Sequence, residues 1–281
     1  MSLVKNHICE VREIVKKWKN DGLTVGIVPT MGALHKGHAS LMKKAHEMCD
    51  KVIVSVFVNP TQFGPNEDYD KYPRTLEADK ELCKKENVDL IFAPTPAEMY
   101  PEEAFTKIIP PESFQNKLCG KSRPIHFNGV ALVVTKLFNI TQADYGFFGL
   151  KDAQQFFIIK KFVRDLNIPI EIIGCPIIRE DDGLAVSSRN VYLDSVSRKK
   201  APCLSKILSY IKENYTKGEN DFNKIKSNAL KLLEEDVEIE YLECIDTETF
   251  EQIFYLKKNT LVAFAAKIGG VRLIDNIILE S

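Results

Sequence analysis

The sequence lacks an excess of either charge. Its 281 residues include 38 lysines and arginines against 39 aspartates and glutamates, which leaves a formal net charge of -1. Because both signs are spread along the whole length, no long-range field collects nucleic acid or anionic lipid. We therefore expect neither a nucleic acid nor a membrane as a partner, and any bound anion must be held by a few local groups.

Long apolar runs and paired cysteines are also missing. The first twenty residues carry a charge every few positions, so they match neither a secretory signal nor a membrane span, and we expect a cytoplasmic protein. The seven cysteines are odd in number, widely scattered and without the spacing of a zinc site. They are predicted to be reduced thiols that are mostly buried or semi-buried.

What the sequence does contain is an alternation of β-branched apolar segments with helical ones. Helices are predicted at 37–50, 74–86, 129–141 and 152–166, and strands at 23–29, 51–59, 88–94, 145–148 and 170–178. Nearly continuous apolar strands separated by helices indicate a parallel sheet covered on both faces, with right-handed crossovers. The predicted fold class is therefore α/β.

The pattern changes near residue 185. Two amphipathic helices are predicted at 199–214 and 220–235, and strands follow at 237–245, 261–266 and 272–279. Helices followed by a run of strands are typical of an α+β unit. We predict a first domain at 1–185 and a smaller α+β domain at 186–281.

Two histidines occur where the first predicted strand gives way to a helix. The segment PTMGALHKGH at 29–38 contains His35 and His38, with Gly32 and Gly37 beside them. Ligands of open α/β sheets bind beyond the carboxyl ends of strands, and a helix start offers unpaired N–H groups that suit a phosphate. Histidines three residues apart project toward one ligand. The alternatives are surface histidines in a turn or a zinc site, for which no third ligand stands nearby.

A group of cationic and hydroxyl side chains comes more than a hundred residues later. Lys151 opens a helix after the strand at 145–148, and Asp152 beside it can accept from ribose hydroxyls. The run Ser187, Ser188 and Arg189 follows a polar loop. Such groups, when preorganised, hold a leaving pyrophosphate, and a guanidinium binds phosphate oxygens in a bidentate manner. Taken alone, the serines and the arginine fit a helix cap and a turn better.

Three further polar side chains are candidates for substrate binding. Gln62 follows the second predicted strand, Gln155 lies one helical turn after Lys151, and Arg123 precedes another helix. The alternatives are a loop glutamine bonded to backbone, a solvated helix face and a surface ion pair. Asp79 could touch magnesium through water, but a carboxylate on a helix surface is the simpler interpretation.

Six segments, in this order and spacing, resemble the pantothenate synthetase family of the nucleotidylyltransferase superfamily. The resemblance covers residues 20–200, and the remainder agrees in length and texture only. It departs at Leu150 and Ala153, where the family usually has Glu and Tyr, and at Val186, where it often has Met. The segments are PTMGALHKGH at 29–38, FVNPTQFG at 57–64, YPRT at 72–75, RPIHFNGV at 123–130, GLKDAQQ at 149–155 and REDDGLAVSSRNVYL at 179–193.

The resemblance implies a Rossmann-like ATP-binding domain covered by a smaller C-terminal lid, in a homodimer. It implies that (R)-pantoate and β-alanine are joined through a pantoyl-adenylate to give pantothenate, AMP and diphosphate, with ATP and Mg²⁺ as cofactors and the metal ligands unknown. The implied catalytic residues are His38, His35, Lys151 and Arg189, and Gln62, Gln155 and Arg123 would hold pantoate or β-alanine. ATP would contact Met31, Gly32, Ala33, Leu34, His35, Lys36, Gly37, His38, Gly149, Leu150, Lys151, Asp152, Ile178, Val186, Ser187, Ser188 and Arg189.

Three other functions remain open from the sequence. A nucleotidylyltransferase that stops after adenylyl transfer shares the histidine segment but needs no amine acceptor. A tRNA-charging enzyme would carry a basic stripe or an anticodon-sized appendage, and neither is visible. A regulator that kept the fold would bind ATP without releasing pyrophosphate.

Overall fold

The computed structural model of the chain describes residues 2–65, 67–102 and 105–280. The strands are β1 (Leu3–Lys5), β2 (Val25–Thr30), β3 (Lys51–Val56), β4 (Leu90–Phe92), β5 (Tyr145–Gly149), β6 (Glu171–Cys175), β7 (Val237–Asp246), β8 (Thr260–Ile268) and β9 (Val271–Leu279). The α-helices are α1 (Ile8–Asn20), α2 (Lys36–Met48), α3 (Leu76–Lys85), α4 (Pro96–Met99), α5 (Glu112–Gln115), α6 (Leu118–Ser122), α7 (His126–Thr141), α8 (Ala153–Asp165), α9 (Ser195–Lys200), α10 (Cys203–Thr216) and α11 (Phe222–Ala229).

The first six strands form one parallel sheet in the order β1-β4-β3-β2-β5-β6. From β2 the chain runs outward to β3 and β4, and it then returns to place β5 on the other side of β2. The direction of winding therefore reverses between β2 and β5, and a crevice for ligands forms at the carboxyl ends of strands that part in this way. The predicted α/β class is confirmed.

Both faces of this sheet are covered because its central strands are apolar on both sides. In β2, Val25 and Ile27 face a core that includes α1, α7 and α8, whereas Val28 faces α2. The strand contains Gly26 at a close contact: a Cβ there would lie 2.8 Å from the Cys49 sulfur and 2.9 Å from the Phe147 ring. The alternation of side chains along a strand thus supplies two separate cores.

The C-terminal sheet is antiparallel, in the order β7-β8-β9. One of its faces packs on α10 and α11 to form a core of its own. The opposite face contributes Leu261 and Ala263 to a core that includes residues of the parallel sheet, and Phe250 stacks on Phe114 at a ring separation of 4.7 Å. An apolar contact therefore joins the sheet to the parallel domain, and the boundary near residue 185 stays a prediction.

Several element boundaries differ from the predicted ones. The helix predicted at 199–214 is two helices, α9 and α10, separated near Pro202, which lacks the N–H of a continuing helix. The helix predicted at 220–235 ends at Ala229, where a short 3₁₀ turn, Leu230–Leu232, follows. The strand predicted at 170–178 ends at Cys175, just before Pro176. Of the remaining elements, β1, α1, α4, α5 and α6 lie outside the predicted ones.

All seven cysteines carry free thiols, and five of them are buried. The expectation of buried, unpaired thiols is met. Within the ranges that the structure describes, no helix combines the length and the apolar character needed to cross a membrane.

Candidate active site

A pocket of about 230 Å³ opens at the carboxyl ends of β2 and β5. His35 and His38 line it from the start of α2, and Lys151 lines it from the 3₁₀ turn after β5. Ser188 and Arg189 line it from the segment that precedes α9. The pocket adjoins a cleft of about 920 Å³ beside the C-terminal sheet, and Lys151 and Arg189 line both. The structure thus brings together the two groups of side chains that are far apart in the sequence.

The two histidines are held by the backbone of their own segment. His35 is the N-cap of α2, and its Nδ1 accepts a hydrogen bond from the N–H of Gly37 at 3.2 Å. The Nδ1 of His38 accepts from the N–H of His35 at 3.2 Å, and the two rings lie 4.0 Å apart. Because each Nδ1 is an acceptor, each neutral ring carries its proton on Nε2. Both rings can therefore donate a hydrogen bond.

Burial and nearby positive charge keep these histidines neutral. Burial, reinforced by the charge of Lys151, lowers the pKa of His35 to about 4. Burial, His35 and Lys151 together lower the pKa of His38 to about 3, whereas an unperturbed histidine has a pKa of about 6.5. At pH 7 the pair consists of two neutral hydrogen-bond donors beside a cationic lysine.

Four backbone N–H groups between β2 and α2 donate to acceptors within the chain, namely those of Gly32, Ala33, Leu34 and His35. The N–H groups of Ala33 and Leu34 donate to the carboxylate of Asp79 at 3.2 and 2.8 Å, and the N–H of Gly32 donates to the hydroxyl of Thr30 at 3.2 Å. Gly32 has φ +83°, and a Cβ there would lie 3.0 Å from an Asp79 oxygen. The N–H groups of Gly32, Ala33 and Leu34 precede the start of α2, where unpaired N–H groups are expected, and each of them is paired within the chain.

Asp79 is therefore a structural residue of the site. Its side chain is 2% exposed, so the interpretation as a carboxylate on a helix surface is wrong. Both of its oxygens accept backbone hydrogen bonds from the histidine segment. The acidic neighbour Glu77 is exposed, which explains why the sequence around Asp79 resembles a solvated helix face.

Not every predicted ATP-binding residue forms the pocket wall. The wall includes Met31, Gly37, Gly149, Asp152, Ile178, Val186 and Ser187. The ammonium group of Lys36 instead pairs with Glu180 at 3.3 Å, and its side chain is 75% exposed. The residues that lie beside the wall rather than in it are Gly32, Ala33, Leu34, Lys36 and Leu150.

The cation-bearing segment after β6 is a short hairpin. Arg179 and Ala185 form an antiparallel bridge, and the N–H of Val186 donates to the carbonyl of Ile178 at 2.9 Å. The hydroxyl of Ser187 accepts from the N–H of Arg189 at 3.3 Å and caps the 3₁₀ helix Ser188–Tyr192. Ser187 is therefore the helix cap expected from the sequence, and it also lines the pocket.

Both candidate arginines are paired with neighbouring acids. The guanidinium of Arg189 lies 3.4 Å from both carboxylate oxygens of Asp68, and Arg123 forms an ion pair with Glu67. Burial opposes ionisation of Glu67, but its hydrogen bond to Arg123 prevails and lowers the pKa of the carboxyl. The alternative of an ion pair for Arg123 is thus realised, although Arg123 also lines the pocket.

Gln62 is fixed by a buried hydrogen-bond network. Its side chain is 6% exposed, its oxygen accepts from the amide of Asn59 at 3.0 Å, and its own amide contacts the sulfur of Met31 at 3.1 Å. The helix α7 approaches so closely that a Cβ on Gly129 would lie 2.3 Å from the carbonyl oxygen of Thr61. Gln155 lines both the pocket and the cleft.

The pocket wall also contains polar residues outside the set predicted from the sequence, and three of them are Asn59, Tyr72 and His126. Asn59 and Tyr72 are buried in the wall, and buried His126 contacts the carbonyl of Gln62 at 3.0 Å through Nδ1. Burial, together with the charge of Arg123, lowers the pKa of His126 to about 4. Each of these residues belongs to one of the six segments quoted above, so the resemblance to the family could have identified it.

Comparison with known proteins identifies the family. The sequence model described as pantoate-beta-alanine ligase matches residues 3–278. The chain belongs to the pantoate–β-alanine ligase family. It is 49% identical over 280 residues to the pantothenate synthetase of Caldicellulosiruptor saccharolyticus, and the match covers 99% of each chain. The predicted family is confirmed, and the match extends through the C-terminal sheet, where the resemblance rested on length and texture alone.

Solved structures of this ligase family share the whole fold. The pantothenate synthetase of Thermus thermophilus superposes with a TM-score of 0.93 at 39% identity, covering 99% of this chain and 100% of that one. The pantoate-beta-alanine ligase of Francisella tularensis, complexed with beta-gamma ATP and beta-alanine, superposes with a TM-score of 0.80 at 36% identity. That match covers 99% of this chain and 98% of the Francisella chain.

Proposed function

We propose that this ligase uses ATP to join (R)-pantoate to β-alanine, which gives pantothenate, AMP and diphosphate through a pantoyl-adenylate. The observation that carries the proposal is the convergence of His35, His38, Lys151 and Arg189 on one pocket at the switch point of the sheet. Membership of the pantoate–β-alanine ligase family and the ATP-bound and β-alanine-bound relative from Francisella support the substrates.

The first half-reaction is an in-line displacement. A carboxylate oxygen of pantoate attacks the α-phosphorus of ATP, the new O–P bond forms, and the bond to diphosphate breaks. The neutral rings of His35 and His38 donate hydrogen bonds to the α-phosphate oxygens, where negative charge accumulates. Lys151 and Arg189, with Ser187 and Ser188, receive the departing diphosphate. No proton is needed from a histidine, which fits their lowered pKa values.

The second half-reaction forms the amide. The amine of β-alanine attacks the acyl carbon of the adenylate, loses a proton, and AMP leaves with the electrons of the C–O bond. Gln62 and Gln155 hold the pantoyl hydroxyl groups, and Arg123 offers a charge to a carboxylate. Because no side chain acts as a nucleophile, rate enhancement comes from alignment and preorganised donors. We propose the segment 186–281 as a lid domain that keeps water from the mixed anhydride.

Magnesium enters this proposal as the MgATP complex. Over the described residues, no group of three metal-binding side chains is clustered, which suits an ion held mainly by phosphate oxygens and water. Among the described residues of the pocket wall, Asp152 is the only carboxylate. We propose Asp152 as the protein group that faces the ion or the ribose.

Omission of single substrates tests the reaction. The protein is incubated with Mg²⁺, ATP, pantoate and β-alanine, each left out in turn, and AMP, pyrophosphate and pantothenate are measured. We expect pyrophosphate to require pantoate, and AMP release to require β-alanine as well. Pyrophosphate formed without pantoate, or AMP transferred to a phosphorylated metabolite, would favour the simple nucleotidylyltransferase. ATP binding with no pyrophosphate would favour the regulator.

We also propose that the chain works as a homodimer in the cytoplasm. The resemblance to the family supports the dimer, and seven free thiols suit a reducing compartment. Sedimentation equilibrium at micromolar concentration should give twice the mass of 31.9 kDa, and a monomer would contradict the dimer. Fluorescence from a tagged chain in cells tests the location.

A further inference from the structure

The last strand of the C-terminal sheet reaches the turn that carries Lys151. Asn276 on β9 is 4% exposed, and its Nδ2 donates to the carbonyl oxygens of Leu150 and Lys151, each at 2.9 Å. An amide nitrogen has two protons, so each carbonyl receives one. Both carbonyls belong to the 3₁₀ turn Leu150–Asp152 that places Lys151 in the pocket wall.

The neighbouring residue on β9 holds the other cation-bearing segment. Asp275 is also 4% exposed, and its carboxylate accepts from both terminal nitrogens of Arg179, at 2.6 and 2.9 Å. Arg179 donates in turn to the carbonyl of Gly183 at 3.0 Å, inside the hairpin that leads to Arg189. Successive side chains of a strand point to opposite faces, so β9 contacts the two segments on its two sides.

Packing alone does not require this polar pair. Leu261 and Ala263 on β8 make apolar contacts to the core of the first domain. Hydrogen bonds are directional, so an amide that donates to two backbone carbonyls fixes the position of the 3₁₀ turn along β9. The contact is therefore suited to setting the position of Lys151 relative to the histidines.

We propose that Asn276 is a positioning residue of the nucleotide site, which acts through Lys151, and that Asp275 does the same for the hairpin. This inference rests on the proposed function, since it assumes that Lys151 binds the phosphates of ATP. The C-terminal sheet then supports the ATP site through the contacts of β9, in addition to any role as a lid. A displacement of about 1 Å at such a group is enough to slow a reaction substantially.

Two substitutions at Asn276 and one control test the proposal. Asn276→Leu removes both donors at similar size, and Asn276→Asp presents a carboxylate to two carbonyls. Val262→Ala is the control, because Val262 is buried in the C-terminal core and lies outside the pocket. In pantoate-dependent ATP–pyrophosphate exchange we expect kcat to fall roughly tenfold in N276L and further in N276D. V262A should lower Tm while kcat stays within about twofold of the wild type.

A double-mutant cycle with Lys151→Ala separates positioning from a general loss of structure. If Asn276 acts through Lys151, N276L lowers kcat of the wild type but changes the K151A variant by less than about twofold. An equal loss in both backgrounds, or wild-type kcat in N276L, would overturn the proposal.

ATP binding, measured by calorimetry, keeps the inference testable apart from the reaction. N276L should weaken the affinity of the wild type at least about threefold and leave that of K151A unchanged. If the wild type binds ATP but gives no exchange with pantoate, the proposed function fails. The role of Asn276 is then tested by the ATP affinities of the variants alone. An unaltered affinity in N276L would then refute the positioning role.

Discussion

The two sides of the nucleotide pocket are held in different ways. On the histidine side, Gly32, His35 and His38 form hydrogen bonds within their own segment. Asp79, which accepts from the N–H of Leu34, lies 45 residues further along the chain, in the part that forms the parallel sheet and its helices. On the cation side, the Lys151 turn is held by Asn276, 125 residues away, and Arg179 is held by Asp275, 96 residues away. One side is thus complete within the parallel domain, while the other depends on the C-terminal sheet.

This difference teaches that the site can be damaged in two separable ways. A change on the histidine side should affect transition-state stabilisation and the local fold of the first domain. A change on the cation side should displace the side chains that we propose hold the ATP phosphates. Substitutions in the C-terminal sheet should affect the same side chains.

The largest expected effect tests the chemistry of the histidine side. His38→Ala removes a half-buried donor, and kcat should fall at least about 10²-fold while the protein stays folded. Steady-state kinetics and circular dichroism measure the two properties. His7→Ala is the control, because His7 is exposed and pairs with Glu98 at the surface. Unchanged turnover in H38A would remove His38 from the reaction.

The second effect tests the support of the histidine side. In Asp79→Asn, a buried carboxylate that accepts from two partly buried N–H groups is replaced by an amide, and the free energy of unfolding should fall by about 2–3 kcal/mol. Urea denaturation measures it. Glu77→Gln, on the same helix but with an 86% exposed side chain, should change it by less than about 0.5 kcal/mol. Equal stability of D79N and E77Q would contradict the structural role of Asp79.

The third effect concerns pH, and His35 and His38 contribute to it on the histidine side. In the unfolded chain a histidine binds a proton below about pH 6.5, whereas burial holds the pKa of His38 at about 3 and that of His35 at about 4. Their contribution to stability is therefore complete above pH 6.5 and is lost as pH falls, down to about pH 4 for His35 and about pH 3 for His38. At pH 5 each histidine should lower the free energy of unfolding by at most about 2 kcal/mol relative to pH 7.

The control for pH dependence is the H38A variant. Its unfolding free energy should decline less between pH 7 and pH 5 than that of the wild type, because one low-pKa group is gone. Parallel curves for the two proteins would show that His38 does not titrate with unfolding.

The smallest effect tests the cation side. Asp68→Asn removes a carboxylate that competes with phosphate for Arg189, and KM for ATP should fall roughly two- to threefold, the scale of a partly exposed ion pair. Asp70→Asn is the control, because Asp70 lies in the same loop and is exposed. A higher KM in D68N would mean that Asp68 orients Arg189 rather than competing for it.

Much of the site was predictable because its residues sit in local patterns. Apolar strands that alternate with helices identify the parallel sheet, and a histidine segment after a strand points to the ligand-binding edge. Asp79 escaped the same reasoning because exposed acidic neighbours surround it in the sequence. The short helices α4, α5 and α6 are four or five residues long, which is too short to show periodicity.

The sequence by itself determined the α/β class, the family and the two groups of charged and hydrogen-bonding side chains, since these depend on periodicity and on motifs read in order. Only the tertiary structure decided that Asp79 accepts from two backbone N–H groups of the histidine segment and that Asn276 holds the Lys151 turn. Those contacts join residues far apart along the chain. The first forms when α3 packs beside the parallel sheet, and the second forms when the C-terminal strands pack against it.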